Sequence, residues 1–163
     1  MFDVDSIRQD FSILRQKING EPLCYLDNGA STQKPRQVLD RITTFYSSEY
    51  SNVHRGVHQL SRIATRLNEQ AREAAASFIN AGSSDEIVFT TGTTGSINLV
   101  AYSFGEKFIR ENDEIITTVQ EHHANIVPWQ RLCQRSRAVL KTMPLDERGK
   151  IRVEALGELI TPR

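Results

Sequence analysis

Glu86-Ile87-Val88-Phe89-Thr90-Thr91-Gly92-Thr93-Thr94-Gly95-Ser96 is the stretch on which the fold turns. Glu86–Thr90 is β-branched and aromatic and reads as a strand. After a Thr/Gly loop, Ser96 to about Phe104 reads as a helix. The same succession then repeats downstream. Glu114–Val119 reads as a second strand, Asn125–Gln134 as a helix with Pro128 near its start, and Ala138–Met143 as a third strand. A turn through Asp146-Glu147-Arg148-Gly149 leads to a last short helix around Val153–Ile160. This alternation predicts an α/β architecture, a parallel sheet with right-handed helical crossovers. The chain stops at Thr161-Pro162-Arg163, where another strand is expected. A three-stranded parallel sheet would keep an open edge and a bare face, so the sequence reads as part of a larger fold.

Upstream, helical spacing dominates. The first twenty residues read as a short amphipathic helix with Phe11 and Leu14 apolar, ending at Asn19-Gly20. Leu23-Cys24-Tyr25-Leu26 reads as a short strand, and Asp27–Ser31 as a turn, because each of its residues favours one. Pro35 suits the first turn of a helix carrying Val38, Ile42 and Phe45 on one face. A longer helix spans about Ser61–Asn80, with Leu60, Ala64, Leu67, Ala71, Ala74 and Phe78 at three-four spacing and Gly82 as its stop. The expected division is an N-terminal helical and short-strand segment, 1–50, followed by the first part of a larger α/β domain, 51–163.

Composition narrows the function classes. Of the 163 residues, 39% are hydrophobic and 25% charged, which is globular and not disordered. Twenty Lys plus Arg balance twenty Asp plus Glu, leaving no basic excess for nucleic acid or an anionic membrane. Apolar runs such as Leu99-Val100-Ala101-Tyr102 fall far short of the ~18 residues a membrane span needs. The start, Met1-Phe2-Asp3-Val4-Asp5, is acidic where a secretory leader would be basic. Cys24 and Cys133 form neither a disulfide framework nor a zinc ribbon, and both read as buried structural thiols. A reducing cytoplasm is the expected setting.

Three segments could carry chemistry. In the Thr90–Ser96 loop, backbone N–H groups at a helix start, glycine and threonine hydroxyls together suit a phosphate; an ordinary Thr/Ser helix cap is the plain alternative. The loop is neither a Walker loop nor GxGxxG. Gln120-Glu121-His122-His123-Ala124-Asn125 follows the second strand, at the sheet edge where ligands of open α/β folds collect. A histidine there could stack on an aromatic ligand and move protons, or simply cap a helix. In Val53-His54-Arg55-Gly56-Val57-His58 the two histidines have the spacing of a metal pair, but Gly56 weakens a helix and no HExxH glutamate is present, so no metal site is expected. Arg55 is the better candidate there, for gripping a carboxylate or phosphate.

Taken together these segments resemble the PLP-dependent cysteine desulfurases of the class V aminotransferase superfamily, in particular the SufS-like group. The resemblance rests on Tyr25–Pro35, Asn52–His58, Phe78–Ala81, Gly92-Thr93-Thr94, Ile97–Ala101 and, most specific, Glu121–Gln130. It implies the large α/β domain of a fold type I, aspartate-aminotransferase-like transferase, incomplete here. It implies that Thr93 and Thr94 hold the phosphate of pyridoxal 5'-phosphate and that His122 stacks on its ring and assists proton transfers. Asn28, Ala30, His54 and Arg55 would line the substrate side near a homodimer interface. The implied reaction converts L-cysteine to L-alanine and leaves a protein-bound persulfide, passed to a Suf-type acceptor for Fe–S cluster assembly.

Two departures stand out. The family usually has Glu then Gly after the paired threonines, where this chain has Gly95 and Ser96. The chain also covers only the N-terminal portion of such an enzyme. None of Lys17, Lys34, Lys107, Lys141 and Lys150 matches the PLP-lysine motif, and neither cysteine matches the persulfide-forming one. The isolated chain is therefore expected to be inactive and prone to associate. Other class V enzymes (a selenocysteine lyase, kynureninase or epimerase) and a non-catalytic phosphate-ligand-binding fragment are the alternatives.

Overall fold

The computed structural model describes residues 3–163. Met1 and Phe2, part of the acidic start read against a leader, lie outside them. The chain forms two compact units, Met1–Ile87 and Val88–Arg163. Among the described residues, no helix is long and apolar enough to cross a membrane.

The first unit is helical, but its beginning differs from the single helix expected. Helix α1 (Val4–Gln9) is capped by the Asp3 carboxylate, which accepts from Ser6 N at 3.0 Å. A 3-10 turn, Ser12–Arg15, follows. Asn19-Gly20 is not a helix stop. It is the turn of a minimal hairpin between β1 (Lys17–Ile18) and β2 (Glu21–Pro22). Both turn residues have positive φ, 55° and 88°, the conformation that a two-residue hairpin loop demands and Asn-Gly supplies. The expected strand at Leu23–Leu26 does not form, because no ladder partner flanks it among the described residues; Leu26 is 89% exposed. Cys24 is accordingly exposed, not buried.

The Asp27–Ser31 turn is present, closed by Ala30 N and Ser31 N on Asp27 O. Pro35 immediately precedes α2 (Arg36–Thr44), which runs on into a π-turn at Phe45–Glu49. Helix α3 (Gln59–Phe78) is the longest element. It ends earlier than Gly82 would dictate, because Asn80 takes the left-handed conformation, φ 57°, and Ala81 N reaches back to Ala76 O at 2.9 Å. Asparagine is the commonest substitute for glycine at such a cap. Of the expected apolar stripe, Ala64 is buried, whereas Leu60 and Phe78 are 44% and 91% exposed.

The second unit is built on one βαβ crossover. Helix α4 (Thr93–Val100) continues through a π-turn, Ala101–Gly105, into the single turn α5 (Glu106–Phe108). Strand β3 (Glu114–Thr118) pairs in parallel with β4 (Val139–Met143), from Glu114↔Val139 to Thr118↔Met143. Helix α6 (Val127–Ser136) connects them, with Pro128 in its first turn and Arg137 left-handed at its end. Beyond β4, the Asp146–Gly149 turn leads to a 3-10 turn at Val153–Ala155 and to α7 (Leu156–Leu159). The core gathers Ala101, Leu132, Cys133 and Ala155. Gly105 lets the helices meet there: a Cβ on it would collide with Leu132 Cδ2.

The first of the three expected strands is missing. Glu86 closes a 3-10 turn at Ser84–Glu86, and 87–90 has no ladder partner among the described residues. A β conformation is held by its neighbour's hydrogen bonds, so a strong strand sequence without one stays irregular.

Candidate functional site

Helix α4 begins where the Thr90–Ser96 loop folds back on itself. Gly92, before its first residue, has φ 144°, a backbone region that side-chain-bearing residues rarely adopt. Thr90 Oγ1 accepts from Gly92 N at 3.3 Å and lies 2.6 Å from Ser96 Oγ. Ser96 N donates to Gly92 O at 3.0 Å, closing the first turn. No side chain caps α4, which leaves the amides of Thr93, Thr94 and Gly95 without an acceptor among the described residues. Free amides at a helix start carry partial positive charge and suit an oxyanion. Nothing stands within 4 Å of the position a Gly92 Cβ would take, so the approach to that backbone is open.

Gly95 and Ser96, which together make the departure in this loop, act together here. A Cβ on Gly95 would lie 2.9 Å from Thr91 Oγ1. Glycine therefore lets the threonine loop close onto the helix, and Ser96 ties the closure to Thr90.

The histidine loop comes from the end of β3. His122 caps a 3-10 turn, His123–Asn125, that leads into α6. Its Nδ1 accepts from Ala124 N at 3.2 Å, and its carbonyl accepts from Asn125 N at 2.7 Å. With Nδ1 used as acceptor, the neutral ring carries its proton on Nε2. The turn is clamped in its turn by Trp129, whose Nε1 donates to Asn125 Oδ1 at 2.9 Å. His122 and His123 meet edge to face with centroids 5.8 Å apart. Both rings remain exposed.

Thr94 and His122 line one cavity of about 320 Å³, together with Asn98, His123, Val127 and Arg131. Thr93 is the first residue of α4, adjacent in sequence to Thr94. Asn98 and Arg131 were not singled out from sequence, and His123 was read only as part of the histidine loop. Asn98 is one helical turn from Thr94 and donates to its carbonyl at 2.8 Å, and Arg131 is one turn from Val127. The signal for both was i,i+4 spacing on helices whose first residues were already of interest. The donor set fits a phosphorylated aromatic cofactor: amides, a hydroxyl and a guanidinium for the anion, and an exposed imidazole for the ring. No lysine lines the cavity.

Asn28 belongs to the first unit, where it lines a largely apolar cavity of about 430 Å³ with Ile7, Phe11, Leu14 and Tyr25. Its own turn is fixed by Thr32 Oγ1 on its carbonyl at 2.9 Å and by Gln33 N on its Oδ1 at 3.2 Å. Ala30 sits in the same turn, exposed. His54 and Arg55 lie on the loop before α3, both exposed. His54 has φ 62° and pairs through Nε2 with Glu69 Oε1 at 3.0 Å, while His58 Nδ1 accepts from Ser61 N at 3.4 Å.

Comparison with known proteins bears on the whole chain. The family model described as Aminotransferase class-V matches residues 24–163. A probable cysteine desulfurase of Mycolicibacterium paratuberculosis is 50% identical over 163 residues, all of this chain and 24% of that protein. A cysteine desulfurase of Salmonella newport is 51% identical over 162 residues, 99% of this chain and 40% of that protein. The chain thus spans well under half the length of the curated relatives it matches. Among solved structures, the apo cysteine desulfurase of Thermococcus onnurineus superposes with a TM-score of 0.85 at 35% identity, over 97% of this chain and 38% of that one.

Proposed function

Because the chain belongs to the class V aminotransferase family, and carries part of the α/β domain of the PLP-dependent fold type I enzymes, we propose that it is the N-terminal part of a cysteine desulfurase. The full protein would convert L-cysteine to L-alanine and hold the released sulfur as a persulfide. Delivery to a Suf-type acceptor for Fe–S assembly, a homodimeric state and a cytoplasmic setting belong to the same reading. The observation that carries it is the shared cavity of Thr94 and His122 at the uncapped start of α4, in a chain about half identical to cysteine desulfurases.

Pyridoxal phosphate, when bound, supplies the electron sink for the substrate's carbanion chemistry. The chain's own residues supply the cradle. Thr93 and Thr94 would offer amides and hydroxyls to the phosphate, with the α4 dipole and Arg131 adding positive potential. The His122 imidazole would stack on the ring, held in one orientation by its Nδ1 contact with Ala124 N. Nε2 is then the atom left to exchange a proton with substrate. Asn28, Ala30, His54 and Arg55 would line the substrate side, near a homodimer interface.

The covalent lysine and the persulfide cysteine are assigned to the rest of the full-length protein. Two observations support this: the cavity has no lysine in its lining, and the relatives are more than twice as long. Residues 1–163 alone are accordingly expected to release no sulfide from cysteine.

Alanine formation from L-cysteine by the full-length protein tests the reading. Replacing His122 by Ala is expected to lower the rate by roughly 10²–10⁴-fold, the usual contribution of a positioned acid–base group. A parent protein that makes no alanine, or a His122→Ala variant as fast as the parent, overturns it.

A further inference from the structure

His122 reaches its cavity from a turn that does little to hold itself. The 3-10 turn His123–Asn125 is closed by Asn125 N on His122 O at 2.7 Å and by Ile126 N on His123 O at 3.1 Å. The i,i+3 bonds of such a turn are poorer than those of an α-helix, and two of them leave it weakly held. The brace comes from α6. Trp129 Nε1 donates to Asn125 Oδ1 at 2.9 Å, one helical turn back. Trp129 stands in the first turn of α6, the helix that buries Pro128, Leu132 and Cys133 in the second unit.

Asn125 does not spend its side chain in the usual way. An asparagine just before a helix ordinarily caps it, with Oδ1 accepting from an amide of the first turn. No side chain caps α6, and Oδ1 takes the indole instead. The backbone of the same turn holds His122. Asn125 N bonds its carbonyl and Ala124 N bonds its Nδ1. Among the described residues the His122 ring makes no other hydrogen bond, and its aromatic neighbour is His123, edge to face. The orientation of the imidazole thus follows the turn, and the turn is tied to Trp129.

We propose that Asn125 and Trp129 are positioning residues for His122. Their hydrogen bond passes the fixed orientation of α6 to the imidazole and holds the ring at the cavity it shares with Thr94. The inference rests on the reading of His122 as the residue that stacks on the cofactor and moves protons. Neither Asn125 nor Trp129 lines that cavity, so both act through His122 and not on substrate. A ring held in place beforehand spares the reacting state the entropy of ordering it.

The test uses the full-length protein with its cofactor. Trp129→Phe keeps an aromatic ring and removes the donor. Asn125→Ala removes the same bond from its other end, so either variant carries the test alone, and Asn125→Asp keeps an acceptor. Each is also made in a His122→Ala background. Three quantities are read: kcat and KM for L-cysteine, the visible absorption of the bound pyridoxal phosphate, and hydrogen–deuterium exchange of the His122–Ile126 segment in cofactor-free protein. Trp129→Phe and Asn125→Ala are expected to lower kcat roughly three- to tenfold, the worth of one hydrogen bond, with KM within about twofold. Both also shift the absorption and speed the exchange, and Asn125→Asp recovers most of each loss. With His122→Ala present, neither substitution lowers kcat or moves the absorption further, because the residue they act through is gone. If they lower kcat equally in both backgrounds, or speed exchange while kcat and absorption stay at the parent's values, the clamp is only structural and the inference falls. A His122→Ala variant as fast as the parent removes the reading of His122 itself, and its positioning with it.

Discussion

In residues 3–87 the chain is organised by side chains reaching loop backbone: Tyr25 Oη donates to Ser31 O at 2.5 Å, Asn28 and Thr32 brace the following turn, and Ser61 and Thr65 hold the loop before α3. In residues 88–163 the organising bonds are backbone to backbone, through the parallel β3–β4 ladder and its α6 crossover. The burial differs in kind as well. The first unit buries Ser61, Ala64, Ala76 and, at its boundary, Ile87, whereas the second closes around Leu132 and Cys133. Polar pinning gives the first unit loops of defined shape with little apolar core. Apolar packing gives the second a core on which its candidate site loops are mounted at the ends of regular elements.

That contrast can be broken or sharpened by substitution. Leu132→Ala should have the largest effect, a loss of about 2–5 kcal/mol from an emptied site against Gly105. Ala76→Gly in α3 should cost only about 1 kcal/mol, mostly through helix propensity. Urea denaturation of both variants checks this, and equal losses would erase the distinction between the units.

The two cysteines provide one probe in each unit. Cys24 is exposed, while Cys133 is buried on α6 with its thiol pushed above the usual range by desolvation. A thiol reagent at neutral pH should modify Cys24 at least about tenfold faster, since only an accessible thiolate reacts. Comparable rates would mean that the second unit opens as readily as a loop of the first.

Each unit also ends a helix on a left-handed residue, Asn80 after α3 and Arg137 after α6. Arginine tolerates that conformation less well than asparagine. Arg137→Gly should therefore stabilise by up to about 1 kcal/mol and Asn80→Gly by only a few tenths. Thermal denaturation of the pair resolves the order.

The smallest expected effect is a pH slope confined to the second unit. Lys141 and then Thr161 donate to Glu114 and hold its carboxyl below the ordinary carboxylate range. A depressed acid contributes stability that is present above its unfolded value and lost as pH falls through its folded one. Glu114→Gln should flatten the acid limb of the stability curve, and no change in that limb would discount the cluster.

Elements with internal evidence were legible in the sequence. Helices α2, α3 and α6 carry their own apolar period and β3 and β4 their β-branched runs, and all five form close to where expected. Leu23–Leu26 and Glu86–Thr90 look no different in composition, yet neither forms a strand. Asn19-Gly20 reads locally as a helix stop, and the extended residues on either side make it a hairpin turn instead. At the candidate site, Thr94 and His122 were legible because loop chemistry is written in consecutive residues. Asn98 and Arg131 joined the same cavity through helix geometry and the course of the chain.

The sequence by itself determined where α2, α3 and α6 run, and that a Thr/Gly loop and a histidine loop would sit at the starts of helices. Those properties depend on bonds closed within a few residues. Only the tertiary structure decided which apolar runs become strands, which cysteine is buried, and that a face of α3 grips the loop carrying Arg55. Each of those outcomes needs a partner distant in sequence, and pattern within a segment carries no record of whether that partner arrives.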